Sequence, residues 1–303
     1  MNSFLQLSPE VADAIATNKP IVALESTIIS HGMPWPQNAQ TAKAVEGVVR
    51  AHGAVPATIA IRNGYCRVGL SDTELDDFAQ SSGVWKVSLR DMPYVIAQKI
   101  DGATTVATTM HIAAMAGISI FATGGIGGVH RGATTTMDIS ADLTAMSRTN
   151  VAIVAAGVKS ILDIGLTLEY LETLGVPVVT YGQSEFPSFY SSKSGFQSPM
   201  SENSITGLAQ MLKVKWGLAL EGSVLIANPV PQAYEMPMEA VETHILEALN
   251  TANTMGIKGK EVTPFILKHI AEHTQGESLE ANIALIKNNA KLAAELAVAY
   301  SKL

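Results

Sequence analysis

Hydrophobic residues along the chain follow two alternating patterns. Short apolar runs such as PIVALESTII, ISIFATGG, VAIVAAG, PVVTY and SVLIANPV alternate with longer segments at helical spacing, such as SPEVADAIATN and QNAQTAKAVEGVVRAHG. Short apolar runs predict buried strands, and their alternation with helices predicts β-α-β units around a largely parallel sheet. We therefore expect an α/β fold with helices on both faces of the sheet.

The same patterns assign most of the remaining chain. ATIAIRNG, CRVGL and WKVS predict strands, whereas DTELDDFAQSSG, TTVATTMHIAAMAG and MLKVKWG predict helices. Two or three helices are expected at the carboxyl end, one of them with Thr263 as its N-cap and Pro264 in its first turn. A serine-rich segment, residues 184–204, predicts an ordered loop or a lid. No segment has the composition of a linker, so we expect a single domain over residues 1–303.

Composition narrows the class of protein. The net charge is -7 and the basic residues are scattered, which argues against binding of a nucleic-acid polymer. Cys66 is the only cysteine, as is typical of a reducing compartment. The amino terminus does not have the pattern of a signal peptide, and the uncharged stretch 102–129 is interrupted by glycines and His111. We expect a cytoplasmic protein with no membrane segment and a small-molecule ligand.

Glu25 interrupts the strand-like run in IVALESTIISHG. A carboxyl group in low-dielectric surroundings favours its protonated form, as a general acid requires. The alternative is a glutamate at a strand end that forms an ion pair with a lysine, and the sequence does not separate the two.

A glycine-rich segment, FATGGIGGVHRGA, follows a predicted strand. Glycines let backbone amides approach an anion, and Arg131 is a nearby cation that can help to hold it. His130 stands where a dinucleotide-binding loop needs its third glycine, which weakens that interpretation. The alternative is a tight turn without a ligand.

Asp138 and Asp142 lie four residues apart in DISAD, with Ser140 between them. On a helix both carboxylates would share a face and suit a hard divalent ion such as manganese or magnesium. Alternatively, Asp138 or Ser140 caps the following helix.

Lys159 lies between the apolar run VAIVAAG and the segment SILDIG, in which Ser160 and Asp163 are spaced like a capping box. This pattern places the lysine at the carboxyl end of a strand and beside a helix amino terminus. The positive character of a helix amino terminus disfavours an ammonium group, and an uncharged amine is the nucleophile of imine chemistry. The alternative is a solvated lysine at a strand end.

Many blocks of the chain resemble one family. They are ALESTIISHGMPWPQNAQTA, VPATIAI, KVSLRDMPY, GATTVATTM, FATGGIGGVHRGA, DISADL, GVKSILDIGLTLEYLETLGVPV, VKW, ANPVP, TPF and NNA. Together they resemble pseudouridine-5'-phosphate glycosidase, a family that also includes proteins encoded with blue-pigment synthesis. The resemblance spans roughly residues 8 to 300.

The resemblance implies a single-domain, three-layer α/β/α fold around a mixed, largely parallel sheet, and a homotrimer. It also implies a manganese-dependent enzyme that reversibly cleaves the carbon-carbon glycosidic bond of pseudouridine 5'-phosphate. The products would be uracil and ribose 5-phosphate.

The resemblance assigns roles to individual residues. The proton donor falls on Glu25, the lysine that forms the imine falls on Lys159, and the manganese carboxylate falls on Asp138. Implied substrate contacts are Lys86, Val106, Ser140, Ala141, Asp142, His130 near the phosphate, and Asn282 at the uracil edge.

Two other functions stay open. A lysine-dependent aldolase or lyase on another phosphosugar would use the same Glu25, Lys159 and phosphate site. A nonenzymatic nucleotide-binding protein would keep the fold without turnover, although such a protein does not need an imine-forming amine.

Overall fold

The computed structural model describes residues 2–257 and 262–303. The strands are β1 (Leu5–Leu7), β2 (Ile21–Leu24), β3 (Val55–Arg62), β4 (Tyr65–Val68), β5 (Trp85–Val87), β6 (Gly102–Thr104), β7 (Ile120–Ala122), β8 (Val129–His130), β9 (Ala152–Ala155), β10 (Leu162–Asp163), β11 (Val178–Tyr181), β12 (Met200–Glu202) and β13 (Leu225–Ala227). The helices are α1 (Pro9–Ala16), α2 (Thr27–His31), α3 (Gln37–Ala51), α4 (Asp72–Gln80), α5 (Met92–Ala97), α6 (Val106–Met115), α7 (Ala133–Thr136), α8 (Ala141–Met146), α9 (Ile164–Thr173), α10 (Ile205–Gly217), α11 (Met238–Thr254), α12 (Val262–His273) and α13 (Glu277–Tyr300).

One large mixed sheet organises the domain. Its strands run in the order β1-β4-β3-β2-β7-β9-β13-β11-β12, and β6 pairs with β3 and β5 beside this path. Every pairing from β3 to β12 is parallel, whereas β3 is antiparallel to β4 and β6. Strands β8 and β10 form a separate antiparallel pair. The predicted α/β fold with a largely parallel, mixed sheet is confirmed.

Helices cover the centre of this sheet. All residues of β7, β9 and β13 are buried, which requires protein on both faces of the sheet. The long helix α13 packs against β2, β7 and β9, and α6 packs against β2 and β3. Across the described ranges, no helix has the length and apolar character that a membrane span requires.

Two predicted element boundaries near the cleft residues were wrong. The predicted strand PIVALESTII ends at Leu24 and gives way to α2, because the Ser26 hydroxyl leaves the strand pattern to accept a hydrogen bond from the Thr104 amide at 2.9 Å. The helix after Lys159 begins at Ile164, because the Asp163 side chain caps it by accepting from the Leu166 amide at 2.9 Å. Ser160 is therefore not the N-cap, and the predicted capping box does not form.

The serine-rich segment packs into the domain, whereas the start of α12 differs from the prediction. Phe186, Phe189 and Tyr190 in the serine-rich segment are buried, so much of that segment is an ordered, packed loop. Thr263 lies inside α12 rather than capping it, because that helix already includes Val262.

Candidate active site

Several polar residues follow parallel strands directly. Glu25 follows β2, Thr123 follows β7 and Asn228 follows β13, while Lys159 lies four residues beyond the end of β9. Because β2, β7, β9 and β13 are parallel neighbours, their carboxyl ends meet at one edge of the sheet. The fold thus collects these residues from distant parts of the sequence.

A cleft at this edge brings together four of the residues predicted from the sequence. Glu25, Lys86, Lys159 and Asn282 all line it. Its other lining residues are Thr27, Ile28, His31, Gly32, Gly124, Gly125, Phe189, Thr263, Pro264 and Leu267.

Two threonine hydroxyls hold the Glu25 carboxyl group. Thr27 Oγ1 donates to Glu25 Oε2, and Thr123 Oγ1 donates to Glu25 Oε1. The glutamate is only 7% exposed, and it forms no ion pair with the cationic side chains of residues 2–257 and 262–303. The alternative of a strand-end ion pair with lysine is therefore wrong. Both carboxyl oxygens are instead oriented by neutral groups at the cleft.

Lys159 is half-buried, and its backbone is held by two hydrogen bonds. Its amide donates to the Ile126 carbonyl at 3.1 Å, and its carbonyl accepts from the Leu162 amide at 3.0 Å. Its side chain forms no ion pair within the described part of the chain. Because α9 begins only at Ile164, the predicted position directly beside a helix amino terminus is wrong. The position beyond a strand end, facing the cleft, is correct.

Asp142 joins the starts of two helices to the glycine-rich segment. Its Oδ1 accepts from the Ala107 amide in the first turn of α6 at 2.9 Å, and its Oδ2 accepts from the Gly127 amide at 2.8 Å. Ser140 caps α8 by accepting from the Asp142 amide at 3.2 Å, as the capping alternative predicts. The carboxylate of Asp142 is thus fully engaged within the protein.

Val106 and Ala141 occupy the first helical positions of α6 and α8. Amides at this position have no partner within their own helix, and the helix dipole favours an anion there. Asp142 holds these two helix starts together. The residues predicted in DISAD and at Val106 therefore lie close to one another, and backbone amides are the main groups that they offer to a ligand.

His130 contacts Asp138 and lies close enough to Lys86 for their charges to interact. Its amide donates to the Asp138 carbonyl at 3.0 Å, and its Nδ1 lies 3.9 Å from Asp138 Oδ2. Burial lowers the pKa of His130, the Asp138 carboxylate opposes this effect, and the charge of Lys86 lowers the pKa further. The lowered pKa favours the neutral imidazole, and Lys86 lies close enough for its charge to contribute to that lowering.

Asp138 is a sparse candidate for a metal ligand. Its side chain is 49% exposed, and His130 is the neighbouring potential ligand. Within residues 2–257 and 262–303, no three histidine, cysteine or acidic side chains converge as a metal cluster. Only an ion whose remaining positions are filled by water or substrate fits this arrangement.

The glycine-rich segment combines packing with access to the cleft. A side chain at Gly127 would collide with Ser140, and one at Gly128 would collide with Thr167, so both glycines are needed for close packing. Gly124 and Gly125 line the cleft.

Arg131 does not serve as the predicted anion-holding cation. Its Nη2 donates to Glu242 Oε2 at 2.8 Å and to the Ser160 carbonyl at 3.3 Å, and its Nη1 also pairs with Glu242. These hydrogen bonds tie Arg131 to Glu242 and to the backbone of Ser160, so Arg131 stabilises the segment that follows Lys159.

Sequence reasoning missed four polar residues, of which Thr27 lines the cleft and the other three lie behind it. Thr27 and Thr123 hold Glu25, and the buried amides of Asn228 and Asn289 bond to each other at 3.0 Å. Thr27, Thr123 and Asn228 each lie within three residues of the end of a central strand, which is the signal that could have identified them.

Comparison with known proteins assigns the chain to a family. Residues 10–299 match the family described as Indigoidine synthase A like protein. A relative from Deinococcus radiodurans, named pseudouridine-5'-phosphate glycosidase, is 57% identical over 303 residues, covering 100% of this chain and 97% of the relative. A relative of the same name from Geobacillus kaustophilus is 59% identical over 297 residues, covering 98% of this chain and 99% of the relative.

Solved structures agree. The prealnumycin C-glycosynthase AlnA, in complex with ribulose 5-phosphate, has a TM-score of 0.92 and 38% identity over 100% of this chain and 98% of that one. An indigoidine synthase A-like protein from Thermotoga maritima has a TM-score of 0.89 and 35% identity over 99% of this chain and 98% of that one. Matching in sequence over almost its whole length and in fold throughout, the chain belongs to the indigoidine synthase A like family of enzymes.

Proposed function

We propose that the protein reversibly cleaves the carbon-carbon glycosidic bond of pseudouridine 5'-phosphate, releasing uracil and ribose 5-phosphate. The observation that carries this proposal is the single cleft shared by the buried carboxyl of Glu25 and the amine of Lys159. Relatives that are 57% and 59% identical carry the name of this activity. The ribulose 5-phosphate bound to AlnA supports a pentose phosphate as ligand of this fold.

The bond to be broken sets the chemistry. Ordinary glycosidases protonate an oxygen leaving group, whereas here the leaving atom is a ring carbon of uracil. We propose that Glu25 donates its proton to the ribose ring oxygen while that oxygen leaves the anomeric carbon. The lone pair of neutral Lys159 Nζ forms the new bond to the same carbon, so the ribose opens as a covalent adduct.

Uracil then leaves from the adduct. The amine transfers a proton to the Glu25 carboxylate, and Glu25 passes that proton to the uracil carbon. The electron pair of the carbon-carbon bond returns to the uracil ring, and the nitrogen lone pair closes the imine. Water adds to the imine carbon and releases ribose 5-phosphate and Lys159. This division of one difficult step into two is the advantage of covalent catalysis.

We propose that the phosphate lies where Lys86 and His130 meet the starts of α6 and α8. The backbone amides of Val106 and Ala141, together with Ser140, would bind its oxygens, and Lys86 would supply the positive charge. Asp142 would act by holding the starts of α6 and α8 in place, since its backbone amide and both its carboxylate oxygens already form hydrogen bonds within the protein. Phosphate binding far from the reacting carbon provides energy for positioning the ribose.

Asn282 is the proposed partner of the uracil edge. It is buried on α13 and lines the cleft, and a side chain at Gly124 would lie 3.5 Å from its Oδ1. An amide side chain offers both a donor and an acceptor, which matches the alternating groups of the uracil edge.

A single Mn²⁺ per subunit would be held by Asp138 with water in its other positions, because no three histidine, cysteine or acidic side chains of the described residues converge to form a closed site. Such an ion would neutralise charge and orient water near the phosphate. A homotrimer and a cytoplasmic location are proposed from the family resemblance, and sedimentation at three times the chain mass of 32.0 kDa would test the former.

Uracil release tests the proposed function. The purified protein with Mn²⁺ should convert pseudouridine 5'-phosphate to uracil and ribose 5-phosphate, measured by chromatography. Lys159→Ala should abolish turnover, whereas Lys291→Ala, which removes an exposed lysine on α13, should retain it. A wild-type protein that binds the nucleotide without turnover would support the nucleotide-binding alternative. Cleavage of other phosphosugars without uracil release would support the aldolase alternative.

A further inference from the structure

A buried amide on α13 links the two reacting residues from behind the cleft. Asn289 is fully buried and is not among the residues that line the cleft. Its Nδ2 donates to the Thr123 carbonyl at 2.8 Å and approaches the Gly124 carbonyl at 3.4 Å. Its Oδ1 accepts from Asn228 Nδ2 at 3.0 Å. Asn289 therefore uses both ends of its amide within the protein.

One end of this arrangement leads to Glu25. Asn289 holds the carbonyl of Thr123, and the hydroxyl of the same threonine donates to Glu25 Oε1. A displacement of the Thr123 backbone would therefore move the hydroxyl that orients the glutamate.

The other end leads to Lys159. The backbone amide of Asn228 donates to the carbonyl of Ala155, at the end of β9, at 2.8 Å. The backbone amide of Ala156 donates to the Gly124 carbonyl at 2.9 Å, and the backbone amide of Lys159 donates to the Ile126 carbonyl at 3.1 Å. The segment 156–159 and the glycine-rich segment thus run side by side, and Asn289 lies where both segments begin.

We propose that Asn289 is a positioning residue that sets the placement of Glu25 relative to Lys159. This inference rests on the proposed function, in which both residues act on the same ribose. An amide suits this position because it both donates and accepts without carrying a charge, so it can be buried when both ends are satisfied. Reaction geometry is sensitive to displacements of about 1 Å, which can cost about 100-fold in rate.

Replacement of Asn289 tests the proposal, and its neighbour supplies the control. Asn288 lies on the same helix and donates to the Pro229 carbonyl at 3.1 Å, but it does not bond to Thr123. Asn289→Ala should lower kcat for uracil release about 10- to 100-fold while KM stays within about twofold. Asn288→Ala should keep kcat within about threefold of wild type. Equal kcat values for the two variants would overturn the positioning role.

A double variant separates positioning from general loosening of the fold. If Asn289 acts through Thr123, adding Thr123→Val to Asn289→Ala should lower kcat little further, whereas independent effects would multiply. Fully multiplicative losses would overturn the proposal. Should Asn289→Ala not fold, Asn228→Ala removes the link from the Lys159 side and should lower kcat at least threefold at unchanged KM. An unchanged kcat for that variant would contradict the proposal.

The same assays distinguish loss of the proposed activity from loss of the positioning role of Asn289. A wild-type chain that releases no uracil would overturn the proposed function and this inference with it. A wild-type chain that turns over normally, with Asn289→Ala matching Asn288→Ala, would overturn the positioning role alone.

Discussion

The Thr123 hydroxyl donates to Glu25 Oε1, although the two residues lie 98 positions apart in the chain. The contact exists because β2 and β7 are adjacent parallel strands that end at the same edge of the sheet. Thr27 holds the other carboxyl oxygen from the following helix. The orientation of the proposed proton donor therefore depends on neutral hydroxyl groups.

Removing the hydroxyl of Thr123 should impair catalysis. Thr123→Val keeps the side-chain shape but leaves the buried Glu25 Oε1 without its donor, and an unsatisfied buried acceptor costs about 1–3 kcal/mol. We expect kcat for uracil release to fall about 10- to 100-fold. Thr123→Ser keeps the hydroxyl and should stay within about threefold of wild type. Equal rates for the two variants would show that the hydroxyl does not matter.

Asp142 should be more important for stability than an ordinary capping aspartate. Asp142→Asn replaces one acceptor oxygen by an NH2 group facing a backbone amide, either that of Ala107 or that of Gly127. We expect the free energy of unfolding in urea to fall by about 1–3 kcal/mol. Asp163→Asn is the matched control, because asparagine caps a helix about as well as aspartate. Similar losses for both variants would contradict the bridging role of Asp142.

Glu46 should make stability depend on pH. Burial raises the pKa of this carboxyl above its usual 4.5, although the Thr58 hydroxyl donates to it and partly opposes the effect. The folded state then binds the proton more tightly than the unfolded state, so the contribution is fully present below the usual pKa and is lost as pH rises through the raised value. Glu46→Gln does not titrate and should become progressively more stable than wild type between pH 4 and pH 7.

Urea unfolding of both proteins across that pH range measures this effect. A difference in unfolding free energy between Glu46→Gln and wild type that stays constant with pH would contradict it.

The sheet, and the edge where its strands end at the cleft, could be predicted from the sequence, because a strand and the residues that follow it form a local pattern. Glu25 and Lys159 were identifiable as polar residues placed against apolar runs. The end of β2 was missed because Ser26 bonds to Thr104, which is 78 residues away. Asn289 lies 166 residues from Thr123, and only the packing of α13 on the sheet brings them together.

The sequence also could not show whether Ser160 or Asp163 caps the helix. Both residue types cap helices well, so spacing alone favoured the first. In the structure, Arg131 bonds to the Ser160 carbonyl, and the chain continues through β10 before α9 begins. The tertiary contact determines the start of the helix.

Covalent trapping at Lys159 tests the central claim most directly. The protein would be incubated with Mn²⁺ and ribose 5-phosphate, reduced with borohydride, digested and examined by mass spectrometry. We predict a single pentitol phosphate adduct on the peptide containing Lys159 and none on the peptide containing Lys86, which also lines the cleft. An adduct on Lys86 alone, or no adduct in a protein that still releases uracil, would contradict imine catalysis by Lys159.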